Sequence, residues 1–261
     1  MTAMETAVES VALLPVGTLT IDQSILTYRR GPGDKVECPV ICVFIEMADG
    51  EHILFDTGPP PALLDGTDKL SEHQRQVVCS YTQEDDLRHR LKSLGYTPGD
   101  VKLVINSHFH WDHSGGNYLF DHARVMVQAK EVRFAGMPDA FVDGAYTAAL
   151  YETAAERDIL SGDRMIRPGV LAIATPGHTP GHQSLLIALP SGRALILTGD
   201  AMFCPANIDP AIPPGNAHTP EDAIASIQRL KALAEFHGGD LVICHDPGLW
   251  DSWRPAPHRY I

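Results

Sequence analysis

His108-Phe109-His110-Trp111-Asp112-His113 places three imidazoles and one carboxylate within six residues. The run before it, VKLVINS at 101–107, reads as a buried strand, and Ser114-Gly115-Gly116 after it is where the backbone must turn. A polar cluster at the mouth of an apolar strand is costly to fold unless something offsets it. Neutral His and ionised Asp are ligands for Zn, Fe, Mn or Co, so a divalent metal is the natural offset. A solvated His-rich loop is the plainer alternative. It suits one isolated His better than H-x-H-x-D-H with further donors downstream.

His108 and His110 alternate, so in an extended segment they point to one side. Asp112 and His113 lie past a bend and can face a second point. Four donors can begin two sites but complete neither. The completing residues follow other strand-like runs: His178 in Thr175-Pro176-Gly177-His178, Asp200 after 194–198, and His245-Asp246 after 241–244. The expected assignment gives His108, His110 and His178 to one ion and Asp112, His113 and His245 to a second. Asp200 bridges them, since a carboxylate has two oxygens. Ions ~3.5–4 Å apart can share a hydroxide whose pKa falls toward neutrality, making a nucleophile. Asp112 and Asp200 are then the expected catalytic proton carriers. Asp56, in Asp56-Thr57-Gly58, reads as an outer hydrogen-bond partner orienting a ligand His, or equally as a turn cap. His182 and Asp246 read as supports for the site. His52, His73, His89, His122, His237 and His258 read as surface residues.

The chain has 261 residues, 44% of them hydrophobic, which suits one domain spanning 1–261 with an ample core. A formal charge of −13 argues against nucleic acid as a partner, because phosphate backbones need basic side chains. The five cysteines are an odd number, widely spread and without a CxxC pair, which points to a reducing compartment. With no basic leader and no run near the ~20 apolar residues that span a bilayer, a cytoplasmic protein without membrane contact is expected.

Strands are expected at 11–21, 39–47, 51–56, 101–107, 124–128, 170–175, 184–189, 194–198 and 240–244. Asp49-Gly50 and Pro190-Ser191-Gly192 read as hairpin turns. Helices are expected at 83–94, capped by Thr82 and stopped by Gly95, and after Thr219-Pro220, ending at Gly238-Gly239. The Ala-rich stretch 142–160 also reads as helical. The order hints at a two-sheet core with helices outside and loops from both sheets meeting along one edge.

These residues together resemble the metallo-β-lactamase superfamily. The resemblance implies an α/β fold, the four-layer αββα sandwich. Within that superfamily the chain looks most like the quorum-quenching N-acyl homoserine lactone lactonases. The similar stretches are Asn106 to Asn117, Thr175 to Leu185 and the Tyr260-Ile261 end. The family's ligands match His108, His110, Asp112, His113, His178, Asp200 and His245 one by one, and Asp56 is shared. The resemblance implies a dinuclear hydrolase, most simply with two zinc ions although Fe, Co or Mn would serve. Its implied reaction is the opening of a small lactone by a bridging hydroxide. A homodimer is also implied.

One position departs from the pattern. Many such lactonases carry a Tyr three residues after the bridging Asp, and this chain has Phe203. The missing hydroxyl would have to come from Tyr28, Tyr146, Tyr151, His218 or a water. Met126, Phe134, Met137, Phe141, Met202 and Phe203 could line an acyl groove, and Phe203, Tyr28 and Met202 are the substrate-binding candidates. Arg30-Gly31-Pro32-Gly33 and Pro39-Val40 also look like 4-pyridoxolactonases, which makes another small lactone an alternative. A phosphotriesterase or phosphodiesterase would use the same kind of site. A non-catalytic, metal-stabilised domain is a further alternative, though structural zinc is usually closed by four ligands, often Cys. A glyoxalase II-like thioesterase fits less well, since only 16 residues follow His245. A secreted β-lactamase or a flavodiiron protein fits less well still.

Overall fold

Two β-sheets pack face to face in the computed structural model, which describes residues 5–261. Strands β1 (Val8–Asp22), β2 (Lys35–Met47) and β3 (His52–Phe55) form an antiparallel meander. β4 (Val78–Ser80) pairs with the outer side of β1. β5 (Leu103–Ile105), β6 (Arg124–Gln128) and β7 (Glu156–Leu160) continue from β3 in parallel. The order is β4-β1-β2-β3-β5-β6-β7. The second sheet holds β8 (Arg164–Arg167), β9 (Val170–Ala174), β10 (Gln183–Ala188), β11 (Ala194–Leu197) and β12 (Asp240–Val242), in reverse order across the sheet. Only β11 and β12 run parallel there.

The strands are apolar on both faces, and the packing shows why. Val11 and Leu13 of β1, with Val43 and Ile45 of β2, face Ala172, Leu185 and Leu195 of the second sheet. Their neighbours Ala12, Leu14 and Phe44 turn outward, where Leu87 and Leu91 of a helix cover them. A sheet covered on both sides needs near-continuous apolar runs. Each fully buried Leu, Ile or Phe here contributes about 1.5–3 kcal/mol. On the far side, the helix Pro220–His237 lays Ile227, Leu230 and Ala234 over Ile173, Leu186 and Ile196. The layers run helix, sheet, sheet, helix, which is the expected αββα sandwich.

Both expected hairpin turns form, with Gly50 at φ +84° and Gly192 at φ +83°. Gly238, at φ +60°, ends the long helix and returns its N–H to Ala234. Two expectations need correction. The helix expected at 83–94 begins later, at Leu87, because the Asp86 carboxylate accepts the Arg88 N–H, while Thr82 pairs with Asp85. The stretch 142–160 is not one helix. It breaks into a 3₁₀ turn Asp143–Ala145, a helical turn Ala148–Tyr151 and strand β7. Pairing of β7 with β6 from Arg124–Glu156 to Gln128–Leu160 overrides the local preference, as does a backbone bridge from His110 to Tyr146. The helix Ala129–Gly136 and strands β4 and β8 were not among the expected elements.

Candidate metal centre

The sheet ends place the polar residues. β3 and β5 run parallel, so Asp56 and the loop starting at Ser107 leave the first sheet side by side. His178 follows β9, Asp200 follows β11 and His245 follows the parallel β12. The Gln183 N–H donates to the Ser107 carbonyl at 2.9 Å, which joins the rims of the two sheets. A single helical turn, Trp111–Ser114, then reverses the chain and swings Asp112 and His113 away from His108 and His110.

The donors gather in two groups. His108, His110, His178 and Asp200 offer ligand atoms within 4.8 Å of one another, as do Asp112, His113 and His245. All seven side chains are buried. In the first group His178 Nε2 lies 3.2 Å from His108 Nε2 and 3.0 Å from His110 Nδ1. In the second, His113 Nε2 and His245 Nε2 are 3.1 Å apart, and each is 3.6 Å from Asp112 Oδ2. Asp200 touches both groups: Oδ1 is 3.1 Å from His113 Nε2 and 3.3 Å from His245 Nε2, while Oδ2 is 3.2 Å from His178 Nε2.

The partners behind the imidazoles decide which nitrogens carry protons. His245 Nδ1 faces the Pro39 carbonyl at 2.7 Å, an acceptor only, so that nitrogen donates. His113 Nδ1 donates to Asp56 Oδ2 at 2.9 Å. Ser107 donates its hydroxyl to Asp56 Oδ2 at 2.7 Å, leaving its oxygen to accept from His108 Nδ1 at 2.9 Å. In the neutral rings the Nε2 lone pairs of His108, His113 and His245 therefore point into the centre. Asp200 Oδ1 is also buried there without a hydrogen-bond donor, among the described residues. Acceptors crowded on acceptors call for a cation. Two imidazole nitrogens on one tetrahedral Zn, with Zn–N near 2.0–2.1 Å, sit about 3.3 Å apart. The nitrogen pairs here match that spacing, so the residues fit two divalent ions.

Electrostatics agrees. Burial, then the neighbouring imidazoles, hold His108 and His110 well below the usual imidazole range, so both stay neutral. Burial also disfavours charge on His113 and His245, but Asp200, with Asp112, raises both above it. Those carboxylates ask for positive charge at that spot, which protons or a metal can supply. Burial pushes Asp200 toward the neutral acid, yet His113, His245 and His178 keep it well below the ordinary carboxylate range.

Supports surround the donors. Asp56 sits at φ +59°, rare for a residue with a side chain, and also accepts the Ser107 N–H at 2.7 Å. His182 is held down to about 3 by burial and the nearby His178, and its Nε2 accepts the Asp200 N–H at 3.0 Å. Asp246 accepts the Gly248 N–H within its own loop.

A cavity of about 400 Å³ opens onto His110, Asp112, Asp200 and His245. Leu19, Ile21, Ile25, Val77, Phe141 and Phe203 give it apolar walls. Of the substrate-binding candidates, only Phe203 lines it, its ring stacked on His245 at 5.3 Å. Met202 is corrected: it is fully buried beneath the long helix with Ile173 and Ile227. Tyr28 is corrected too. It is not among the residues lining the cavity, and the Arg29 guanidinium covers its ring. Of the other proposed groove residues, Met126 lies between the sheets and Met137 is exposed. The candidate stand-ins for the missing hydroxyl are committed elsewhere: Tyr146 to Glu131, Tyr151 to the Ala135 carbonyl, His218 to Asp139. His73, read as a surface residue, is exposed and also lines the cavity, as does Asn216. Helix Glu72–Val77 brings His73 there, and its capping box at Ser71 and Gln74 was the overlooked signal.

The chain belongs to the metallo-beta-lactamase superfamily, whose profile matches residues 36–245. It is similar to the N-acyl homoserine lactonase AiiA of Bacillus thuringiensis subsp. kurstaki, 32% identical over 256 residues, which cover 97% of this chain and 99% of the relative. It is similar also to the N-acyl homoserine lactonase AttM of Rhizobium radiobacter, 32% identical over 259 residues, covering 95% and 97% of the two chains. Among solved structures it is similar to an N-acyl homoserine lactone hydrolase with the product N-hexanoyl-L-homoserine bound at the catalytic metal centre. That match has a TM-score of 0.87 and 30% identity, over 97% of this chain and 100% of the other. The dizinc quorum-quenching lactonase AidC shares the fold at 17% identity, with a TM-score of 0.70 over 97% and 96% of the two chains.

Proposed function

We propose that the protein is a metal-dependent hydrolase that opens the ring of N-acyl homoserine lactones, and so quenches quorum signals. The observation that carries this reading is the pair of donor groups joined through Asp200 at the floor of an apolar cavity. The relatives named as lactonases support it. In this reading His108, His110 and His178 hold one ion, Asp112, His113 and His245 hold the other, and Asp200 bridges. Zinc is the resident ion we favour, since imidazole and carboxylate donors suit it; Fe, Co and Mn are the competitors.

Two bound divalent cations would supply a hydroxide nucleophile at neutral pH and polarise the lactone carbonyl. The chain's own residues do the rest. Asp56 fixes the ring of His113, and His182 fixes the backbone of Asp200. Asp200 is held ionised beside the cavity by the surrounding imidazoles, as a bridging carboxylate must be. Asp112, also on the cavity wall, can take the proton carried in by the attacking hydroxide and pass it to the leaving alkoxide. The cavity volume falls in the roughly 300–1,000 Å³ range usual for small-molecule sites. Its walls suit an acyl chain better than a polar pyridine ring.

We take residues 1–261 to work as one domain, because the core between the sheets draws on both halves of the chain. We place it in the cytoplasm on the strength of five free cysteines. Among the described residues no helix is long and apolar enough to cross a membrane.

The test is a side-by-side assay of metal-reconstituted protein on hexanoyl and decanoyl homoserine lactone, 4-pyridoxolactone and a phosphotriester, with ring opening followed by acid release. Faster turnover of the acyl lactones is expected. Turnover confined to the phosphotriester or to 4-pyridoxolactone would overturn the substrate assignment.

A further inference from the structure

Glu131 is a fully buried carboxylate that the chemistry above does not use. It sits in the first turn of the helix Ala129–Gly136, where a negative charge is favoured. Donors reach it from three separate segments. Its Oε1 accepts the Phe109 N–H at 2.9 Å and the Tyr146 hydroxyl at 3.0 Å. Its Oε2 accepts the Thr179 hydroxyl at 2.6 Å, and the Gly181 backbone packs closely against the Glu131 backbone. Gly181 must be glycine for this approach, since a Cβ there would lie 2.0 Å from the Glu131 nitrogen.

The placement of these donors is what matters. Phe109 lies between His108 and His110, and Thr179 follows His178. Tyr146, the third segment, packs its ring edge-on to His110 at 4.8 Å. The carboxylate therefore ties together the two loops that carry every imidazole of the first donor group. It touches none of the second.

We propose that Glu131 is the positioning residue of the first metal group, setting the spacing of His108 and His110 against His178. This rests on the reading of the seven donors as ligands for two ions. Glu131→Gln is nearly isosteric, but it removes the charge and turns an NH₂ toward Thr179, so that loop keeps only a neutral, reversed hydrogen bond in place of a charge-assisted one. The loss falls on one ion only.

The experiment titrates the metal-free wild type and Glu131→Gln with Zn²⁺ against a chromophoric chelator, and with Co²⁺ followed by its visible absorption. Expected is one ion bound about 10–100-fold more weakly, the other unchanged, with an altered cobalt spectrum. Two ions bound as in wild type, or both weakened alike, would overturn the proposal. If Glu131→Gln fails to fold, Tyr146→Phe and Thr179→Val each remove one donor and leave the carboxylate. Each is expected to weaken the same single ion a few-fold, and unchanged affinity in both would overturn the proposal equally. A wild type that took up no metal would overturn the underlying reading and this proposal with it. A wild type with two ions and an indifferent variant would sink the proposal alone.

Discussion

His113 Nε2 and His245 Nε2 face each other at 3.1 Å, and in the neutral rings neither has a proton to share, because each gives its Nδ1 hydrogen to a partner behind it. Without a cation, that contact and the nearby carboxylates are held together only by taking up protons. Metal removal is therefore expected to destabilise the fold as well as stop turnover. With free metal at 1,000 times its dissociation constant, binding adds about 4 kcal/mol. For a chain of this size that corresponds to roughly 10 °C in melting temperature. Thermal unfolding with and without dipicolinate measures it, and an unchanged melting point would contradict the assignment.

Among the described residues, Asp200 is the one side chain whose oxygens reach both groups. Asp200→Asn replaces one oxygen by a donor amide and removes the charge that the surrounding imidazoles stabilise. Both ions should weaken together, and turnover should fall by more than about 100-fold, beyond what outer partners usually cost. Metal analysis alongside kinetics checks it. A variant with two ions and full activity would remove Asp200 from the centre.

Asp56 combines a left-handed backbone with three hydrogen bonds to Ser107 and His113. Asn tolerates that backbone region, so Asp56→Asn tests the carboxylate without adding strain. A loss of about 10–100-fold in activity or metal affinity is expected. Asp56→Ala should lose stability as well, since Ala is poorly suited to positive φ. Full activity and metal affinity in Asp56→Asn, with the loss confined to Asp56→Ala, would argue that Asp56 only shapes the turn.

Cysteine reactivity tests the packing independently of metal. Burial pushes the Cys38 and Cys244 thiols up to about 12, and raises Cys42 and Cys204 as well. At pH 8 these four stay protonated and therefore slow to react. Cys79 is exposed. One thiol should react quickly with a disulfide reagent in the folded chain, and all five after denaturation. Two or more fast thiols would mean that the rim around Cys38 and Cys204 opens readily.

The rim was legible in the sequence because each donor follows an apolar strand, and strands running in the same direction, whether adjacent like β11 and β12 or one apart like β9 and β11, end at the same edge. His178, Asp200 and His245 could be grouped with His108 on that basis. What stayed hidden depends on contacts between distant segments. Glu131 reads as one more acid in an amphipathic turn, and only the fold brings Phe109 and Thr179 to it. Strand β7, with its polar sequence ERDIL, is specified by its partner β6 rather than by its own pattern. Met202 was a substrate-binding candidate beside Phe203, but the backbone there is extended, so neighbours point to opposite sides. Its side chain enters the helix-facing core, while Phe203 turns to the cavity.

Phe203 itself supplies the last prediction. Its ring lies on His245 and lines the cavity, yet it has no group to donate to a lactone oxygen. The tyrosines and the histidine suggested in its place have their polar atoms engaged elsewhere or lie off the wall. Phe203→Tyr adds one hydroxyl to an apolar surface next to the reacting centre. Removing a single oxyanion donor from an enzyme costs about 10²–10³-fold in kcat, so adding an imperfectly aimed one should gain less, about 3–10-fold. The gain should appear in kcat rather than KM, because the hydroxyl acts on charge that develops in the transition state. Paired kinetics on hexanoyl homoserine lactone decide it. A lower kcat would mean that the polar wall at His73 and Asn216, or an ordered water, already polarises the carbonyl and that the new hydroxyl displaces it.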